Sequence, residues 1–93
     1  MLLLKTIKNY YNYKMPDYSI TELDISCRGL TQLPDDIHKY TNLVKLNCSH
    51  NELTILDNLP LTLQELYCSD NPLIYDFIYT IENIRNYNAT IKI

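Results

Sequence analysis

Three side chains supply the raw materials of nucleophilic catalysis: Cys27 a thiol, His50 an imidazole base and Asp70 a carboxylate. A working triad needs the base within hydrogen-bond reach of the nucleophile and a third group that orients the base. Cys48 and Cys68 add two thiols, and with His50 they are ligand types that suit zinc. Their placement argues against both chemistries. Cys48 and Cys68 occupy one position in successive copies of a Cys-Ser-x-Asn phrase, and Cys27, His50 and Asp70 fall two residues beyond that position in successive copies. Repetition makes such neighbours automatically, without an elevated nucleophile turn, an oxyanion arrangement or a closed pocket. Cys48 and Cys68 should face a core while His50 faces the loop side. The expectation is a non-enzyme with no catalytic residue, no metal ligand set and no bound cofactor. A phosphate-cradling loop is excluded because Gly29 is the only glycine.

The repeats are the elements that must position these columns. Leu43–Thr62 reads LVKLNCSHNELTILDNLPLT, and LQELYCSDNPL follows from Leu63 in the same frame. Leu43/Leu63, Leu46/Leu66, Cys48/Cys68, Asn51/Asn71 and Leu53/Leu73 coincide, and ITELDISCRGLTQLP from Ile20 joins through Ile20, Leu23, Ile25, Leu30 and Leu33. The offsets are roughly 23 and then roughly 20 residues, a period that marks a stacked-repeat architecture. Short strands are predicted at Glu22–Ser26, Lys45–Ser49 and Glu65–Ser69. Alternation then sends Leu23, Ile25, Leu46, Cys48, Leu66 and Cys68 into the core. The outward columns are Glu22/Lys45/Glu65, Asp24/Asn47/Tyr67 and Ser26/Ser49/Ser69. Of these, Glu22, Asp24, Lys45, Asn47, Glu65 and Tyr67 form the candidate binding face, with Tyr67 its large aromatic. Asn51 and Asn71 sit where the chain leaves the strand. An amide offers both donor and acceptor to peptide groups that such a turn leaves unpaired. Arg28 fills that position in the first copy and has donors alone.

The chain divides into an N-terminal cap or flexible tail (1–19), repeats at 20–42, 43–62 and 63–75, and a C-terminal cap or degenerate repeat (76–93). Leu3, Leu4, Ile7, Tyr10 and Tyr11 recur at helical spacing, as a cap over the first repeat requires. Pro34 stops the first strand region, and Asp35 is placed to cap a single helical turn that turns Ile37 and Tyr40 inward. Asp57–Thr62 carries Pro60 and should be extended. Asp76 stands where the frame asks for an apolar residue. A helix from Asp76 to Asn88 is predicted, with Phe77, Ile81, Ile84 and Tyr87 or Asn88 on one side, followed by an irregular edge strand.

With 93 residues and a formal charge of −3, the chain has a modest core and no basic face of the kind nucleic acid selects. No run approaches a membrane span, and the start MLLLKTIKNYYNYK lacks a secretory apolar stretch. The expected setting is intracellular, in the cytoplasm, with free thiols. Nine Tyr together with many Asn and Ile read as translation of an AT-rich genome, not as nine functional aromatics.

Leu43-x-x-Leu46-x-Cys48-x-x-Asn51-x-Leu53-x-x-Leu56 and Leu63-x-x-Leu66-x-Cys68-x-x-Asn71-x-Leu73 resemble the leucine-rich repeat family. Ile20-x-x-Leu23-x-Ile25 fits the same pattern with Arg28 in place of Asn. The short second copy, the Cys-Ser-x-Asn wording and the Asn/Tyr/Ile-rich composition look most like the short-repeat proteins of giant amoebal DNA viruses, for which the setting would be host cytoplasm. The resemblance implies an α/β fold: a short leucine-rich repeat solenoid with a curved parallel sheet of three or four rungs and a mostly irregular convex side. It also implies protein binding without an activity of its own. The expected role is a protein–protein interaction module with an unidentified protein partner, no nucleic acid and no membrane. The alternative is a structural or self-assembling component, or a truncated paralogue with little function; the oligomeric state stays open.

Overall fold

A computed structural model describes residues 16–91, so the predicted N-terminal helix through Leu3–Tyr11 and the last residues of the predicted edge strand lie outside the described residues. Three strands, β1 (Glu22–Asp24), β2 (Lys45–Asn47) and β3 (Glu65–Tyr67), form one parallel sheet in the order β1-β2-β3. The register aligns Glu22 with Lys45 and Glu65, Leu23 with Leu46 and Leu66, and Asp24 with Asn47 and Tyr67. One repeat of sequence therefore advances the chain by one strand. No single copy has enough inward side chains for a core, and stacking makes the columns continuous.

Each strand is shorter than predicted, because its path bends while its pairing continues. Ile25 N–H donates to Asn47 O and Cys48 N–H to Tyr67 O, both at 2.8 Å. Beyond these bonds, Cys27, His50 and Asp70 all adopt left-handed backbone, with φ of 57°, 56° and 56°. The chain thereby leaves the sheet at the same point in every copy.

The expectation of a curved leucine-rich repeat solenoid with three or four rungs is corrected by this geometry. The sheet is small, open and three-stranded, neither curled nor closed, and its companion is one long helix. Curvature accumulates as a small rotation per repeat when one side of the stack is wider than the other. Here the return through Asp57–Thr62 contains no helix, and the apolar frame ends at Asp76, which is exposed.

The first return contains a 3₁₀ turn, Ile37–Lys39, with Ile37 buried. Asp36 precedes it and makes no side-chain cap bond, so the predicted capping by Asp35 is not the arrangement found. The Asp36 carboxylate instead accepts a 2.6 Å bond from the Tyr18 hydroxyl. Helix α1 spans Ile81–Ile91 and starts later than predicted because Thr80 caps it: Thr80 Oγ1 accepts from Asn83 N–H at 3.1 Å. No edge strand follows it among the described residues. The core runs from Ile25, Leu33 and Ile37 through Leu43, Leu46, Cys48, Leu53 and Leu56 to Leu63, Tyr75 and Ile84. Among the described residues no helix is long and apolar enough to cross a membrane.

Candidate functional site

The side chains of the candidate face stand on the three strands. Glu22, Asp24, Glu65 and Tyr67 are exposed, while Lys45 and Asn47 are half-buried between neighbouring strands. Lys45 joins two columns: its Nζ lies 3.6 Å from the Glu22 carboxylate and 5.4 Å from the centre of the Tyr67 ring. An ammonium held over an aromatic face is attracted by the ring quadrupole, and the contact also limits the ring's rotation. A shallow cleft of about 300 Å³ lined by Glu22, Leu23, Asp24, Lys45 and Asn47 opens beside this group.

Asp24 and Asn47 have a second duty that the column reading missed. Asp24 Oδ1 accepts from the Ser26 backbone N–H at 3.0 Å and from its hydroxyl at 2.6 Å. Asn47 Oδ1 does the same for Ser49, at 3.1 and 2.7 Å. These bonds hold the Asp24 carboxyl below the usual carboxylate range, the Ser26 hydroxyl contributing most. They also brace the chain immediately before its left-handed residue. The signal was present as Asx-x-Ser, a pairing that satisfies a nearby backbone donor; Tyr67 breaks it in the third repeat.

The column with catalytic residue types is the left-handed column. Asp and His tolerate positive φ better than most side chains, so turn geometry accounts for two of its three members. His50 Nδ1 stands 3.4 Å from Asp70 Oδ2, and both side chains are more than half exposed. Cys27 is exposed on the neighbouring repeat. Among the described residues, no group of three or more His, Cys, Asp or Glu is placed to hold a metal ion.

Behind the face lie the core and turn residues. Ile25, Leu46, Cys48 and Cys68 are buried, and Leu23 and Leu66 at the two outer strands are half-buried. Burial, with the neighbouring Cys68 adding to it, pushes the Cys48 thiol up to about 12, and burial raises Cys68 as well. Both shifts disfavour the thiolate form. Asn51 is buried and ties two repeats together. Its Oδ1 accepts from Arg28 N–H at 2.9 Å and Leu30 N–H at 3.0 Å, and its Nδ2 donates to Ile25 O and Cys48 O, each at 3.0 Å. Asn71 repeats the role, accepting from Leu53 N–H and donating to Cys48 O and Cys68 O.

The sequence reading places Asn88 on the buried side of the last helix but does not single out Tyr75, and it misses the hydrogen bonds the two share. The Tyr75 hydroxyl accepts from Leu56 N–H at 2.9 Å and donates to Asn88 Oδ1 at 3.2 Å, while Asn88 Nδ2 donates to Leu56 O at 2.7 Å. Two side chains thus satisfy both peptide groups of a buried residue at the end of the stack. Burial raises the Tyr75 hydroxyl above its ordinary value, and stacking on Phe77 with an edge contact to Tyr87 seats the ring.

No family model matches the chain, and no solved structure matches it. Among curated proteins, osteomodulin of Bos taurus is similar, 35% identical over 66 residues that make up 71% of this chain. The similarity is partial. Those residues are 15% of osteomodulin, so the chain spans a small part of that relative's length. Osteomodulin is a leucine-rich repeat protein, and this likeness together with the parallel sheet is consistent with a leucine-rich-repeat-related fold.

Proposed function

We propose that this chain is a non-enzymatic protein-interaction module whose contact surface is the exposed sheet face. The observation that carries the reading is the Glu22–Lys45–Tyr67 group. Tyr67 is 47% exposed, and a cation held by a neighbouring carboxylate lies over its ring. An aromatic ordered before contact loses little rotamer freedom on binding, and Tyr is enriched among residues that dominate interface energies. The partial likeness to a leucine-rich repeat protein supports a binding role for the same face. The exposed His50–Asp70 pair and the high Cys48 thiol pKa give no support to an enzyme. We read the Cys-Ser-x-Asn wording and the Tyr- and Asn-rich composition as kinship with the short-repeat proteins of giant amoebal viruses, and an intracellular setting as the site of action.

The test is affinity capture from cell lysate, comparing wild type with a Glu22→Lys/Tyr67→Ala double variant. Asp24 and Asn47 are left intact because their oxygens brace the turn. The expected result is a discrete protein retained by wild type and reduced about tenfold or more by the variant, with matched denaturation curves. Identical captured sets would remove this face from consideration. That β3 has no further strand beside it among the described residues favours a second reading, self-association.

A further inference from the structure

Charge is divided unevenly along the chain. Residues 16–91 hold all eleven of its Asp and Glu side chains but four of its eight Lys and Arg, a formal charge of −7. A field of that sign repels nucleic acid and anionic lipid and draws cationic partners in. On the sheet face it acquires a shape. Glu22 and Asp24 stand two residues apart on β1, so both side chains leave the same side of the strand, with α-carbons roughly 6–7 Å apart. The cleft of about 300 Å³ is lined by both of them, by the half-buried Leu23, and by Lys45 and Asn47. The cations nearby do not use these acids up. Lys45 is the one cation on the three strands, 3.6 Å from Glu22 Oε1 and with Glu65 beside it in register. Arg28, past the end of β1, donates to the Asp24 backbone carbonyl at 3.4 Å. Ser26 takes Asp24 Oδ1, and Ser49 takes Asn47 Oδ1. Among the described residues, Asp24 Oδ2 and Glu22 Oε2 accept no hydrogen bond and Asn47 Nδ2 donates none.

We propose that the sheet face takes an arginine-bearing segment of a partner protein, with the arginine seated in the Glu22–Asp24 cleft. The inference rests on the reading of this face as a contact surface and adds the chemistry of what it contacts. A guanidinium is planar and presents five donors in a fixed fork, so one head group spans Glu22 Oε2 and Asp24 Oδ2. A lysine ammonium meets the same pair as a point charge. The methylene stem of the arginine covers the part of Leu23 that water still reaches. The peptide that carries the arginine brings carbonyls, and the open Asn47 Nδ2 stands on the next strand to donate to one. Asp24, Asn47 and Tyr67 are in register across the three strands, so a segment crossing the sheet meets carboxylate, amide and ring in turn. The bonds from Ser26 hold the Asp24 carboxyl below its ordinary range, which keeps that charge in mildly acidic solution. The chain outside residues 16–91 supplies Lys5, Lys8, Lys14 and Lys92 and no arginine, so the fork selects a partner and not this chain's own ends.

The test is NMR titration of the full chain with a short glycine–arginine peptide and its glycine–lysine counterpart, read at the Asn47 side-chain amide. Saturable shifts at Asn47 and at the β1 amides are expected, with the lysine peptide bound about tenfold more weakly. Glu22→Gln/Asp24→Asn should weaken the arginine peptide about tenfold or more, through loss of two charge-assisted bonds. Asp24→Asn keeps the oxygen that Ser26 uses, as Asn47 does for Ser49, so the turn is retained. Asp76→Asn/Glu82→Gln removes the same charge from exposed positions off the sheet and should change affinity less than about twofold. Equal losses in the two variants would reduce the binding to bulk attraction and overturn the proposal. Equal affinity for the two peptides, or shifts that bypass Asn47, would overturn it as well. Failure of the face itself reads differently: no response to the arginine peptide, while Glu22→Lys/Tyr67→Ala still loses its captured protein, overturns the arginine and leaves the face standing.

Discussion

Leu46 and Leu66 stand side by side in one inward column, yet Leu46 is wholly covered and Leu66 is half-buried. The same contrast separates their repeats. In the second, Asn51 is buried and accepts from two backbone donors of the first; in the third, Asn71 is half-buried and accepts from one donor of the second. Nothing in the local wording distinguishes Leu-x-Cys-Ser-x-Asn in one copy from the other. The difference is one of neighbours: a middle repeat is covered on both flanks, an end repeat on one.

Five substitutions test the contrast. The largest effect belongs to Leu46→Ala, expected to cost about 2–5 kcal/mol in chemical denaturation, a large part of the stability of so small a domain. Leu66→Ala should cost on the order of 1–2 kcal/mol, since less apolar surface leaves water there. Equal losses would break the comparison. Next comes Asn51→Ala, at about 2–3 kcal/mol, because truncation strands Arg28 and Leu30 N–H together with Ile25 and Cys48 O. Asn71→Ala should cost about 1 kcal/mol less, as water reaches the groups it frees. The smallest effect is His50→Asn, which keeps a residue tolerant of positive φ and removes an exposed contact with Asp70. A midpoint shift equivalent to more than about 0.5 kcal/mol would mean that the left-handed column does more than turn the chain.

The alignment of columns was legible because it needs nothing beyond counting: Leu23, Leu46 and Leu66 share a frame position and a strand position. Curvature was not legible, since it depends on the relative width of the strand and return sides, which no single residue states. Alternation puts Tyr67 on the exposed side, where it stands, while the second duty of Asp24 and Asn47, each two residues before a serine that uses its oxygen, is not visible in alternation. The C-terminal helix was legible from its apolar spacing, with Asn88 on its inward side, whereas its hydrogen bonding was not. An apolar-frame search stops at Asp76 and passes over Tyr75. Tyr75 and Asn88 both answer a hydrogen-bonding need of the Leu56 peptide, which hydrophobic periodicity cannot register.

That cap has a modular consequence. Tyr75 and Asn88 grip a backbone N–H and a backbone carbonyl, groups that every repeat carries whatever its side chains. A closing device that reads peptide groups is indifferent to the wording of the repeat beneath it. Lengthening the chain by a duplicated 43–62 block would present the same pair of groups one strand further along. The terminator is thus portable, and the number of repeats can vary in this architecture without redesign of its end.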